Sequence, residues 1–150
     1  MTTPFHLLII DDHLTDLLLL QDAIESQFSD VQLSVAQTAE AATAHLTRPD
    51  APTPHLILLD LFLPGDGGLS VLRRLKAEPR TRGIPVVILT ISAAPADIRA
   101  AYAEHASGYL VKPLLQSELE RQVLHLIEYW RGARTAPPDP PGAPVPHGAD

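Results

Sequence analysis

The chain has no cysteine among its 150 residues, so a disulfide framework, a thiolate metal site and a cysteine nucleophile are all excluded. It has no apolar run long enough to span a bilayer. Its first residues, MTTPFHLLIIDDH, contain no basic leader, and their apolar stretch ends early in two aspartates. A cytoplasmic location is the expectation. Basic excess is also missing: the formal net charge is -7, which disfavours attraction to nucleic acid or to an anionic membrane. The nearest basic group, Arg73, Arg74, Lys76, Arg80 and Arg82, reads as the solvated face of a helix and the loop after it. A chain of this length builds one core and leaves no room for a second functional domain.

What is present is alternation. Strand-like apolar runs lie at about Phe5 to Ile10, Gln32 to Ala36, His55 to Asp60, Pro85 to Thr90 and Ser107 to Val111. Helical patterns fall between and after them, near Thr15 to Phe28, Ala39 to Thr47, Leu69 to Glu78, Ala96 to Ala106 and Gln116 to Arg131. Such repeated βα units predict an α/β fold in which a parallel sheet carries helices on both faces. Thr38 is placed to cap the second helix and Pro95 to open the fourth. Arg48 to Pro54 carries three prolines in seven residues, which predicts a stiff loop into the third strand. From Gly132 onward prolines accumulate and Val145 is the one large apolar side chain. Residues 1–131 are therefore expected to form the domain and 132–150 a flexible proline-rich tail.

The residues with chemistry to offer sit at the ends of these strands. Asp11 and Asp12 follow the first, Asp60 ends the third, Thr90 ends the fourth, and Lys112 with Pro113 follows the fifth. In an open parallel sheet the carboxyl ends of the strands share one edge, so these positions can converge in a crevice. Three carboxylates suit a Mg2+ ion, which takes oxygen ligands and retains several waters. Asp12 and Asp60 are the expected direct ligands, Asp11 acts through water, and Phe62 adds its backbone carbonyl. Asp60 at the mouth of the sheet can also take a phosphoryl group as an aspartyl phosphate. Lys112 and Thr90 would then supply a cation and a hydroxyl to the phosphoryl oxygens.

The acidic pair, the spacing Asp60-x-x-x-Pro64-x-x-x-Gly68, Thr90, and Lys112-Pro113 together resemble the receiver domain of two-component response regulators. The resemblance covers about residues 5–131, and the steps from Asp60 to Thr90 and from Thr90 to Lys112 look like those of the single-domain chemotaxis regulators. It implies a doubly wound, flavodoxin-like (βα)5 fold with strand order 2-1-3-4-5. It also implies phosphoryl transfer from a histidine kinase to Asp60 with Mg2+ bound, and output through protein contact or relay to a histidine phosphotransfer protein. Thr90 and Tyr109 would form the switch pair, and a cis bond before Pro113 would aim Lys112 inward. The loop before HLILLDLFLP, the segment RGIPVVILTIS, and IEYW near the end resemble the small regulators that accompany bacterial phytochrome kinases. One position departs from the pattern. Ile91 follows Thr90 where many receivers have a small residue, and with Phe62 it could screen an aspartyl phosphate from water.

Two faces point to partners. Leu17 to Leu20 run consecutively in the first helix and cannot all share one stripe, so a docking patch for a kinase is expected there. The last helix, with Leu119, Val123, Leu126, Ile127 and Trp130 flanked by Leu115, Leu124 and Tyr129, has apolar surface to spare, which suggests a homodimer. His13, beside Asp12, reads as a surface residue, and none of the seven histidines has metal-ligand spacing to a second one. Three rivals are weighed. A Mg2+-dependent aspartyl-phosphate phosphatase lacks its acid two places after Asp60, where Phe62 stands. A phosphorylation-independent adaptor is not required while every site residue is present. Nucleotide binding lacks a phosphate-cradling glycine loop after the first strand.

Overall fold

The computed structural model describes residues 4–133; residues 134–150, most of the expected tail, lie outside the described residues. Strands β1 (Phe5–Ile10), β2 (Val31–Ala36), β3 (Leu56–Leu59), β4 (Val86–Thr90) and β5 (Gly108–Val111) alternate with helices α1 (Leu14–Gln27), α2 (Ala39–Thr47), α3 (Gly67–Ala77), α4 (Pro95–Ala103) and α5 (Gln116–Gly132). The strands form one sheet in the order β2-β1-β3-β4-β5, and every neighbouring pair is parallel. This is the doubly wound order expected from the resemblance.

The central strands are buried on both faces, which is why they read as unbroken Leu, Ile and Val. Successive residues feed opposite layers. Leu8, Ile10, Ile57, Leu59, Val86 and Ile88 pack with α2, α3 and α4, whereas Leu7, Ile9, Leu56, Leu58, Val87 and Leu89 pack with α1 and α5. In α1, Leu17, Leu20 and Ile24 are buried while Leu18 is 54 % and Leu19 42 % exposed, as the four-leucine run requires. In α5, Leu119, Val123 and Ile127 face the core, while Tyr129 and the N-cap residue Leu115 remain exposed. Arg131 ties the end of α5 to the loop after α1 by pairing with Asp30 and lying over the Phe28 ring.

Local chemistry sets the ends of the elements. Thr38 Oγ1 accepts the Ala41 N–H at 3.0 Å and caps α2. α4 stops at Ala103, three residues before the sequence pattern suggests. There His105 turns left-handed at φ 70, and the Ala106 N–H reaches back to the Ala101 carbonyl at 3.1 Å, satisfying a helix-end carbonyl. Of the basic group, Arg73 pairs with Glu104, and Lys76 Nζ donates to the carbonyls of Arg82 and Ile84 at 3.1 and 2.8 Å. At the opposite edge of the sheet from the crevice, the His6 N–H donates to His55 Nδ1 at 2.9 Å and the two rings stack 5.6 Å apart.

Candidate functional site

The strand register aligns the chemistry. Ile10 lies opposite Leu59, and the ladder runs one step further through the Asp60 N–H to the Ile10 carbonyl at 3.0 Å. Asp11 and Asp60 therefore leave neighbouring strands at the same level. On the other side, Thr90 lies opposite Val111, and the Lys112 N–H donates to the Thr90 carbonyl at 2.7 Å. Four residues distant in sequence thus meet at one edge with their side chains enclosed: Asp11 is 4 %, Asp60 3 %, Thr90 0 % and Lys112 8 % exposed.

Lys112 Nζ donates to Asp11 Oδ2 at 2.6 Å and to Asp60 Oδ2 at 3.3 Å. Burial disfavours its charge, but the bond to Asp11 and the charges of Asp11 and Asp60 outweigh that, so its pKa is raised. The other Asp60 oxygen, Oδ1, accepts the Phe62 N–H at 3.0 Å, which orients the carboxylate. Gly68 packs directly on the Asp60 and Leu61 backbone, and its N–H donates to the Leu61 carbonyl at 2.8 Å. That close approach starts α3 at Gly67, inside the turn cluster and two residues ahead of the sequence expectation. The Thr90 hydroxyl is buried with no hydrogen-bond partner, a costly arrangement that suits a donor waiting for an acceptor.

Two expectations change here. Among the described residues no peptide bond is cis, so the Lys112–Pro113 bond is trans. Trans is the lower-energy form of an X–Pro bond by about 0.5–1 kcal/mol, and the lysine stem spans the distance to Asp11 without the cis geometry. His13 is the second case. Its side chain is 51 % exposed, as a surface residue would be, but its ring faces the acidic group. Nδ1 stands 2.8 Å from Asp11 Oδ1, 3.4 Å from Asp12 Oδ1 and 3.6 Å from Asp60 Oδ2. The hydrogen bond to Asp11 raises the imidazole pKa above its ordinary value. Sequence spacing between histidines missed this because His13's neighbours in the site are carboxylates from two strands.

The donor set fits a divalent cation. One oxygen from each of Asp11, Asp12 and Asp60, with His13 Nδ1, lie within 4.8 Å of one another. Phe62 and Ile91 are exposed at 49 % and 69 %. Tyr109 donates its hydroxyl to the Ser92 carbonyl at 2.8 Å, which ties β5 to the loop that follows Thr90. Ser92 Oγ in turn donates to Asp97 in α4.

The response regulator receiver domain model matches residues 7–124. The chain belongs to this family. The receiver is 35 % identical over 137 residues to the probable methanogenesis regulatory protein FilR2 of Methanothrix harundinacea, covering 89 % of this chain and 88 % of FilR2. It is 33 % identical over 138 residues to response regulator Rcp1 of Synechocystis, covering 89 % and 94 %. A solved structure of Rcp1 in its Mn2+-bound form matches the receiver with a TM-score of 0.80, covering 89 % of this chain and 99 % of that one. The phosphorylated cyanobacterial phytochrome response regulator RcpA matches with a TM-score of 0.83 at 30 % identity, covering 89 % and 99 %. Among the described residues of the receiver, no helix is long and apolar enough to cross a membrane.

Proposed function

We propose that this receiver accepts a phosphoryl group on Asp60 from a sensor histidine kinase of the phytochrome type, with Mg2+ held by Asp11, Asp12, Asp60 and the Phe62 carbonyl. The observation that carries the reading is the meeting of Asp11, Asp60 and Lys112 at one strand edge beside a buried Thr90 hydroxyl that has no partner. A carboxylate oxygen of Asp60 attacks the phosphorus of a phosphohistidine. A P–O bond forms, the P–N bond breaks, and its electron pair returns to the departing imidazole, which takes up a proton. Lys112 and Thr90 hold phosphoryl oxygens during the transfer. Mg2+, when bound, neutralises charge on the transferring group.

The phytochrome pairing draws support from the likeness to RcpA and Rcp1. The exposed leucines of α1, Leu14 directly after His13 and Leu18 one turn further along, offer the kinase an apolar contact. Output runs through protein contacts: a homodimer through α5, where Leu115 and Tyr129 are exposed, or relay to a histidine phosphotransfer protein. Thr90 and Tyr109 form the switch, because moving the Thr90 hydroxyl toward a phosphoryl oxygen disturbs the loop that Tyr109 holds through Ser92. The reading keeps the cytoplasmic location expected from the sequence.

Intact mass after incubation with a small phosphodonor tests it. A Mg2+-dependent gain of one phosphoryl group in the wild type and none in Asp60→Asn is expected; an equal gain in both would move the acceptor elsewhere. A purified phytochrome kinase with its phosphohistidine labelled should transfer label to the wild type alone. Absence of transfer, with the phosphodonor reaction intact, would separate the pairing from the acceptor role.

A further inference from the structure

We propose that His13 is a nitrogen ligand of the cation site, so that the site prefers first-row transition-metal dications over Mg2+. The inference rests on the cation site described above and adds a residue and a selectivity to it. In an octahedron with metal–ligand bonds of about 2.1 Å, neighbouring donor atoms are about 3 Å apart. His13 Nδ1 meets that spacing toward one oxygen of each of the three aspartates, at 2.8, 3.4 and 3.6 Å.

Local structure holds the ring in place. His13 occupies the N-cap of α1 with φ -85 and ψ 84, and its N–H donates to Asp11 Oδ1 at 2.9 Å. The Leu17 N–H bonds to its carbonyl at 3.1 Å. Both backbone groups are therefore committed, one to the acidic pair and one to the helix, and the side chain leaves the backbone on the side of the strand edge. Oxygen donors alone favour hard cations such as Mg2+. Replacing a water in the shell by imidazole favours metals later in the first row, for which nitrogen is the better donor. Mg2+ keeps water in that place at little cost.

Because the His13 pKa is raised, the full chain is titrated with Co2+ and with Mg2+ at a series of pH values. The series runs upward from the ordinary imidazole pKa of about 6.5, over which the ring gives up its proton to a metal. Wild type is compared with His13→Ala and His13→Asn, and pulsed electron paramagnetic resonance is recorded on the Mn2+-loaded proteins. Co2+ affinity is expected to fall about tenfold or more in both variants, with Mg2+ affinity changed less than about threefold. The Mn2+ spectrum should carry a nitrogen coupling in the wild type that both variants lose. His13→Asn retains a side-chain donor for Asp11, so recovery of Co2+ affinity in this variant would make His13 a positioning group and overturn ligation. Absence of nitrogen coupling with Mn2+ bound, or equal losses of Co2+ and Mg2+ affinity, would overturn it as well. If no cation binds the wild type, the cation site fails, and the inference with it. That result is separable, because ligation alone can fail while Mg2+ still binds.

Discussion

A methyl group on Gly68 would lie 2.1 Å from the Asp60 carbonyl oxygen and 2.7 Å from Leu61 Cα. Both are backbone atoms, so no side-chain rotation relieves the contact and the segment carrying the proposed acceptor must shift. Gly68→Ala is expected to cost about 1–3 kcal/mol, as overpacking does, and to weaken Mg2+ binding. Urea unfolding and a Mg2+ titration measure the two effects; a variant with both unchanged would mean that the Asp60 turn is not held by this contact. Ile91→Ala addresses the screen over the mouth. With its side chain 69 % exposed, its loss should leave stability within about 0.5 kcal/mol while hastening loss of the phosphoryl group. An unchanged dephosphorylation rate would end the screening role. At this scale the sequence was informative where a residue's position is fixed by its place at a strand end, as for Asp60, Thr90 and Lys112. The surface reading of His13 missed its ring direction, which depends on where α1 begins. The resemblance implied a cis bond before Pro113 where the structure has trans, because spacing does not determine the isomer.

Among elements, the foot of β1 and the loop into β3 share a histidine pair. Burial and the neighbouring His55 push the His6 imidazole below its ordinary 6.5. The unfolded chain therefore takes up this proton more readily than the fold does. Stability is full above pH 6.5 and declines as the pH falls through that value toward the folded pKa. Urea midpoints at about pH 7.5 and about pH 5.5 in wild type and His6→Gln check the sign. The drop on acidification should be smaller in the variant, and an equal drop assigns it to other groups. On α1, Leu20→Ala should cost about 2–5 kcal/mol, because Leu20 is buried at 2 % exposure. Leu18→Gln, at an exposed position, should cost less than about 0.5 kcal/mol yet slow transfer from the kinase if α1 is its contact. Periodicity placed every strand and helix, since β1, β3 and β4 are runs of apolar residues between polar turns and β2 alternates apolar with polar residues. It missed the start of α3 and the end of α4, because both depend on backbone contacts: the approach of Gly68 to Asp60, and the left-handed His105.

For the whole molecule, the strand order is the property that local pattern could not supply. Strands buried on both faces read alike in any order, so 2-1-3-4-5 followed from the family resemblance and not from hydrophobicity. That order sets Asp11 and Asp60 on adjacent strands and couples the site's charge to the stability of the entire fold. Three carboxylates share the edge with the Lys112 ammonium, which pairs with Asp11 and Asp60, and with the half-exposed His13 imidazole, in a chain whose net charge is already -7. Their mutual repulsion opposes folding until a cation joins them. Mg2+ that binds only the folded chain should stabilise it by about 2.7 kcal/mol at about a hundred times its Kd. Asp60→Asn should act in the opposite sense on each half of this cycle: it removes one repelling charge, so the cation-free fold gains stability, and it removes a ligand, so most of the Mg2+ increment is lost. Trp130, the single tryptophan, packs at the end of α5 against the layer shared with α1, and its fluorescence reports unfolding of the core rather than of the site. Urea midpoints with chelator and with Mg2+, in wild type and Asp60→Asn, close the cycle. Equal wild-type midpoints in the two conditions would remove the cation from this pocket, and a full Mg2+ increment retained in Asp60→Asn would place it at other residues.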